Sequence, residues 1–177
     1  QFWRAELPKP SCWLAAGSEL LLGFPDGRCL RVPTAGNRGE FWQGQSGVTA
    51  LCACGEDVIL GTRSGEILRL GPDGAVHWRH RVEFRTERDF WPWWFLRTPV
   101  IGAVASDGVS HVAAGTGSCS LCILAADTGG VLVDAISPYG LPDMVRWDAG
   151  QFLVGHRRLT PSSAVRAWAP TGECRVY

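Results

Sequence analysis

The sequence predicts an all-β chain built of repeated four-stranded antiparallel sheets, and three observations predict it. Short apolar runs alternate throughout with clusters of Gly, Asp, Pro and Ser, the punctuation of strands and hairpin turns. An apolar triplet closed by Gly recurs in order as LLLG at Gly23, VILG at Gly61, VAAG at Gly115 and FLVG at Gly155. A self-similar period of about 40 residues marks a repeat architecture. No amphipathic helix of useful length interrupts the pattern.

Each element then follows in order. Residues 1–11, aromatic at the start and carrying Pro8 and Pro10, are read as a closing strand and linker. The first copy, 12–43, holds the strands CWLAAG, ELLLG, GRCLRV and EFWQ. The second, 48–84, shows the unit most clearly: its four apolar runs are separated by Gly55-Glu56-Asp57, by Thr62 to Gly65 and by Gly71 to Gly74. Four strands joined by three tight turns make an antiparallel meander. The third copy, 99–136, reads VIGAVAS, SHVAAG, SLCIL and VLVDAI, and the fourth, 141–177, reads MVRW, QFLVG, SAVRAW and ECRVY.

A single four-stranded meander cannot bury both of its faces, so successive copies must stack face to face, and radial stacking of such sheets is the β-propeller. The segments GTRSGEILRLGPDGAVHWRH and GTGSCSLCILAADTGGVL resemble blades of the quinoprotein-type propellers, and SAVRAWAPTGEC resembles a WD-repeat blade. The resemblance implies fold more than function, because propellers host enzymes, scaffolds and sensors alike. For an active quinoprotein it implies pyrroloquinoline quinone beside a calcium ion in the central funnel. The adjacent cysteine pair and the calcium-ligand set of such a site are not found here, so the expectation is no cofactor and no metal. Four blades are expected to belong to a larger ring of seven or eight; a closed four-bladed ring, with Cys12 and Cys174 near its two ends, is the alternative.

Lys and Arg number 17 against 17 Asp and Glu, so no net field draws the chain to nucleic acid or an anionic membrane. No apolar run approaches the ~20 residues of a membrane-spanning helix. The seven cysteines, an odd number, fall mostly where Val or Ala would sit on a buried strand, which suits reduced thiols in the cytoplasm. Cys119 and Cys122 form a CxxC, but it is expected on a strand whose alternation sends the thiols to opposite faces, with no second pair at zinc spacing.

Function is expected in the loops between second and third strands and in the connections between blades, which line one face of such folds. The insertion RTERDFWPWWFLRT, residues 85–98, brings Trp91, Trp93, Trp94 and Phe95 together with Arg97. Trp and Arg dominate interface hot spots, so these are candidate anchors for a protein partner; a hydrophobic plug over its own blade is the competing reading. Arg63, His156, Arg157 and Arg158 are candidate polar contacts for acidic groups, with His156 to Ser163 read as an extended loop. No catalytic residues are assigned, since no GxSxG, HExxH or phosphate loop is present. The reading is a non-catalytic scaffold for protein–protein interaction, one partner completing the ring. Its alternatives are a quinoprotein-like enzyme with blades elsewhere and a lumenal or periplasmic sensing domain.

Overall fold

A computed structural model of the chain describes residues 9–33, 39–82, 100–136, 141–157 and 164–176. These form four four-stranded antiparallel sheets, each a simple meander. The first comprises β1 (Cys12–Ala16), β2 (Glu19–Gly23), β3 (Arg28–Pro33) and β4 (Gly39–Gln43). The second comprises β5 (Val48–Cys54), β6 (Asp57–Thr62), β7 (Glu66–Leu70) and β8 (Val76–Arg81). The third holds β9 (Ile101–Ser106), β10 (His111–Thr116), β11 (Ser120–Ala125) and β12 (Val131–Ile136). The fourth holds β13 (Leu141–Asp148), β14 (Gln151–Arg157), β15 (Ala164–Trp168) and β16 (Cys174–Val176). The chain is all-β and its sheets are propeller blades; among the described residues there is no helix.

The sheets pack in sequence order through three hydrophobic junctions. Leu21 and Cys29 of the first sheet meet Val58, Leu60, Leu68 and Leu70 of the second. The opposite face of the second sheet, with Ile59 and Ile67, meets Val112, Ala114, Cys122 and Leu124 of the third. Ala113, Leu121 and Ile123 then meet Val145, Phe152 and Val154 of the fourth. Strand alternation explains the arrangement, since consecutive residues of β6 and β10 serve opposite junctions and both strands are buried on both faces.

The recurring glycine has a packing reason. A Cβ on Gly23 would lie 2.9 Å from the Cβ of Val48, and one on Gly61 would lie 2.8 Å from that of Ile101. On Gly115 it would meet the backbone of Pro142. Each of these three glycines is a seat for a residue at the start of the innermost strand of the next sheet, a close approach that any side chain would block. Gly155 has the same place in its sheet, but the atoms nearest to its missing Cβ belong to Met144 of that sheet.

Two boundaries differ from expectation. Cys119 is not on a strand: it lies in the turn before β11 with φ of 61°, where the second sheet has Gly65 with φ of 84°. The thiols of the CxxC are thus separated by a turn and a strand, and only Cys122 enters a core junction. His156 and Arg157 belong to β14 and not to the loop after it, because β14 extends to pair with Pro142 and Leu141. As for closure, no core cluster joins the fourth sheet to the first among the described residues, and the four sheets form an open part of a ring. Most of the closing segment, residues 1–8, lies outside the described residues.

Candidate functional site

The second-to-third-strand turns and the connections between sheets lie at one end of the sheets, a rim along which backbone hydrogen bonds tie the described turns to the connections beside them. In the first sheet's turn, the Phe24 carbonyl accepts from Val48 N–H at 2.9 Å and the Gly27 carbonyl accepts from Gly44 N–H at 3.1 Å. The connection 44–47 then reaches the second sheet's turn, where Arg63 N–H donates to the Gly47 carbonyl at 2.8 Å and Ser64 N–H donates to Ser46 Oγ at 3.0 Å. Val82 N–H donates to the Gly65 carbonyl at 2.9 Å, and Gly117 N–H of the third sheet's turn donates to the Val100 carbonyl at 2.7 Å.

Hydroxyls close two of these turns from within. Thr62 Oγ1 accepts Glu66 N–H at 2.9 Å and lies 3.1 Å from Ser64 Oγ. Thr116 Oγ1 lies 2.7 Å from Ser118 Oγ and 2.6 Å from Ser120 Oγ. These residues were not among the sequence candidates, although the shared pattern GTxS at 61–64 and 115–118 is the signal that finds them. The residue after each anchor glycine is buried in all four sheets: Phe24, Thr62, Thr116 and His156. His156 therefore takes the place of the turn-closing threonine, with its ring in the interior.

The sequence candidates divide accordingly. Arg63 is exposed at the tip of its turn on the rim. Arg157 ends β14 at the same end of its sheet as Thr62 and Thr116. Trp91, Trp93, Trp94, Phe95, Arg97 and Arg158 lie outside the described residues. The described residues on either side of that segment are Val82, bonded to the turn that presents Arg63, and Val100, bonded to the turn of the third sheet.

The rim carries charge of both signs. Asp26 pairs with Arg28 Nε at 2.8 Å, and its carboxyl is held below the ordinary carboxylate range chiefly by the Arg28 backbone N–H. The Arg28 guanidinium lies 5.6 Å from the Phe24 ring centroid. Among the described residues no group of three or more His, Cys, Asp or Glu side chains is placed to hold a metal ion.

No family model matches the sequence, and no curated protein matches it. Its fold, in contrast, is shared with solved structures. The computationally designed Ika8 protein is 16% identical over 93% of this chain, with a TM-score of 0.72. A chain of the mitotic checkpoint complex is 18% identical over 89%, with a TM-score of 0.71. BamB from Moraxella catarrhalis is 16% identical over 90%, with a TM-score of 0.64. The match covers 48%, 48% and 49% of those chains, so this chain spans about half their length. BamB and the checkpoint chain are propellers, and at these identities the likeness establishes one conclusion: the chain is a β-propeller segment of four blades.

Proposed function

We propose that the chain is a non-catalytic β-propeller scaffold that mediates protein–protein interaction within a larger protein or complex, and that it does so through its rim. The observation that carries this reading is that Val82 and Val100, the described residues flanking the 83–99 sequence with Trp91, Trp93 and Trp94, are bonded to the turn of Arg63 and to that of the third sheet. Aromatic anchors beside exposed arginines are the usual chemistry of interface hot spots. That one structural neighbour was solved within the mitotic checkpoint complex supports the use of this fold in assemblies. Trp91, Trp93, Trp94 and Phe95 supply apolar contact; Arg63, Arg97, Arg157 and Arg158 supply polar contact to acidic groups, and His156 supports the end of β14 from inside. The same reading places the protein in the cytoplasm, with no cofactor.

The test is affinity capture with the wild-type chain and with a variant carrying Ala at Trp91, Trp93 and Trp94. Capture of specific partners should fall by at least about tenfold while the melting temperature stays within a few degrees. Undiminished capture, or a collapse in melting temperature, would mean that the aromatics plug their own blade. Retention of a redox cofactor, seen as an absorbance band, would replace this reading with the quinoprotein-like one.

A further inference from the structure

We infer that two copies of this chain join head to tail, the open face of the fourth sheet of each covering the open face of the first sheet of the other. The inference rests on the propeller reading and adds to it the occupant of the two end faces.

At each of the three existing junctions, equivalent positions do equivalent work. The register aligns Gly23, Gly61, Gly115 and Gly155, and from them every other position follows. Leu21 of β2 packs in one cluster with Leu60 of β6; Ile59 pairs in the same way with Ala114, and Ala113 with Val154. The next pair in this series is Leu153 on the fourth sheet with Leu22 on the first. Both point away from the existing junctions and are only partly buried. On the third strands the series holds at two junctions, Cys29 with Leu68 and Ile67 with Cys122, while Arg166 has the equivalent place in the fourth sheet; at the open faces the same positions are Val165, 40% exposed, and Leu30, 9% exposed.

The inner strands add a sharper match. The couples Leu14 with Leu51, Cys52 with Val104, and Ala105 with Val145 each lie in a single core cluster. Their continuation is Arg146 with Trp13. Arg146 is exposed and Trp13 is 67% exposed. An arginine facing solvent on one open face and a tryptophan facing solvent on the other thus occupy the two positions that meet at every junction, where guanidinium and indole stack favourably. The seat agrees as well. Val48, Ile101 and Pro142 sit over the glycine of the preceding sheet, and the residue at their position in the first sheet is Pro10. Gly155 is the remaining seat, occupied only by the exposed and flexible Met144.

A second copy supplies both missing faces with one contact used twice. Where both contacts form between the same two copies, the head-to-tail assembly closes instead of growing into a filament.

Light scattering across a dilution series tests this directly. The wild-type chain should show twice its 19.2 kDa mass and dissociate on dilution. Trp13→Ala and Arg146→Ala, both at exposed positions, should each weaken association by about tenfold and leave the far-ultraviolet circular dichroism unchanged. Leu22→Arg blocks the first-sheet face and Leu153→Arg the fourth-sheet face, so each variant alone should run as a monomer. Mixed in equal amounts, they should regain a two-chain species, since one unblocked junction remains between them. A wild-type monomer at every concentration, a mass that keeps growing with concentration, or folded blocked variants that do not recombine would overturn the inference. Any of these leaves the rim reading intact if capture still depends on Trp91, Trp93 and Trp94, so the two fail separately.

Discussion

Asp107 makes most of the side-chain hydrogen bonds that close the first hairpin of the third sheet. One carboxylate oxygen accepts from the backbone N–H groups of Val109, Ser110 and His111 at 2.8, 2.7 and 2.9 Å, and the other lies 2.6 Å from His111 Nδ1. Burial pushes its carboxyl upward, but these hydrogen bonds outweigh burial and hold it below its ordinary value of 3.8. The sign follows: a carboxyl lowered in the folded state adds stability above pH 3.8, and that stability is lost as pH falls through the folded value. Asp107→Asn should therefore cost about 1–2 kcal/mol at pH 7 in chemical denaturation, and the difference from wild type should shrink below pH 3.8. An unchanged difference at low pH would show that turn geometry, not charge, matters. The cysteines separate by the same kind of argument. Burial pushes the Cys122 and Cys29 thiols up to about 12, whereas Cys174 is exposed. An alkylating reagent on the native, unreduced protein should label Cys174 first and reach Cys122 and Cys29 only on unfolding. All seven should react once unfolded if the protein is cytoplasmic; missing thiols would point to disulfides and an oxidising compartment.

At the scale of the sheet, the junction sets the tolerance of each position. Gly61→Ala would put a methyl group 2.8 Å from Ile101 Cβ, in a fully buried side chain, whereas the Cβ of Gly39→Ala meets nothing within 4 Å. Thermal unfolding should show a loss of about 1–3 kcal/mol for the first and little for the second; equal losses would deny the seat its role. The strands themselves were legible because they depend on short-range signals: an apolar triplet, a glycine, and a hairpin turn of Asp or Thr with Gly. Misplaced boundaries came where pairing with a distant strand decides. His156 and Arg157 read as loop because nothing near them announces that Leu141 and Pro142 extend the ladder. Cys119 read as strand because it is apolar, while the turn demands the left-handed backbone that glycine supplies in the second sheet. In the candidate site, Arg63 was readable from its hairpin. The bond from Val48 to Phe24 joins the second sheet to the first, and no local pattern encodes it.

In the whole molecule, the core clusters among the described residues join each sheet only to its sequence neighbours, so stability should behave as a sum over junctions. The second and third sheets have two junctions each, and the first and fourth have one. At concentrations low enough to separate chains, amide exchange should be slower in β6, β7, β10 and β11 than in β2, β3, β14 and β15. Raising the concentration should slow the latter group, and insensitivity of all four sheets to concentration would argue for a self-sufficient chain. The glycine seats carry a consequence for how such a chain changes over generations. Because each sheet offers one notch and one residue to fill the next, a duplicated or exchanged sheet arrives with both halves of its joint already made. The unit that can be copied, lost or grafted without redesign is therefore the whole sheet, cut just before the residue that enters the seat. Natural variation and deliberate chimeras should both respect that cut.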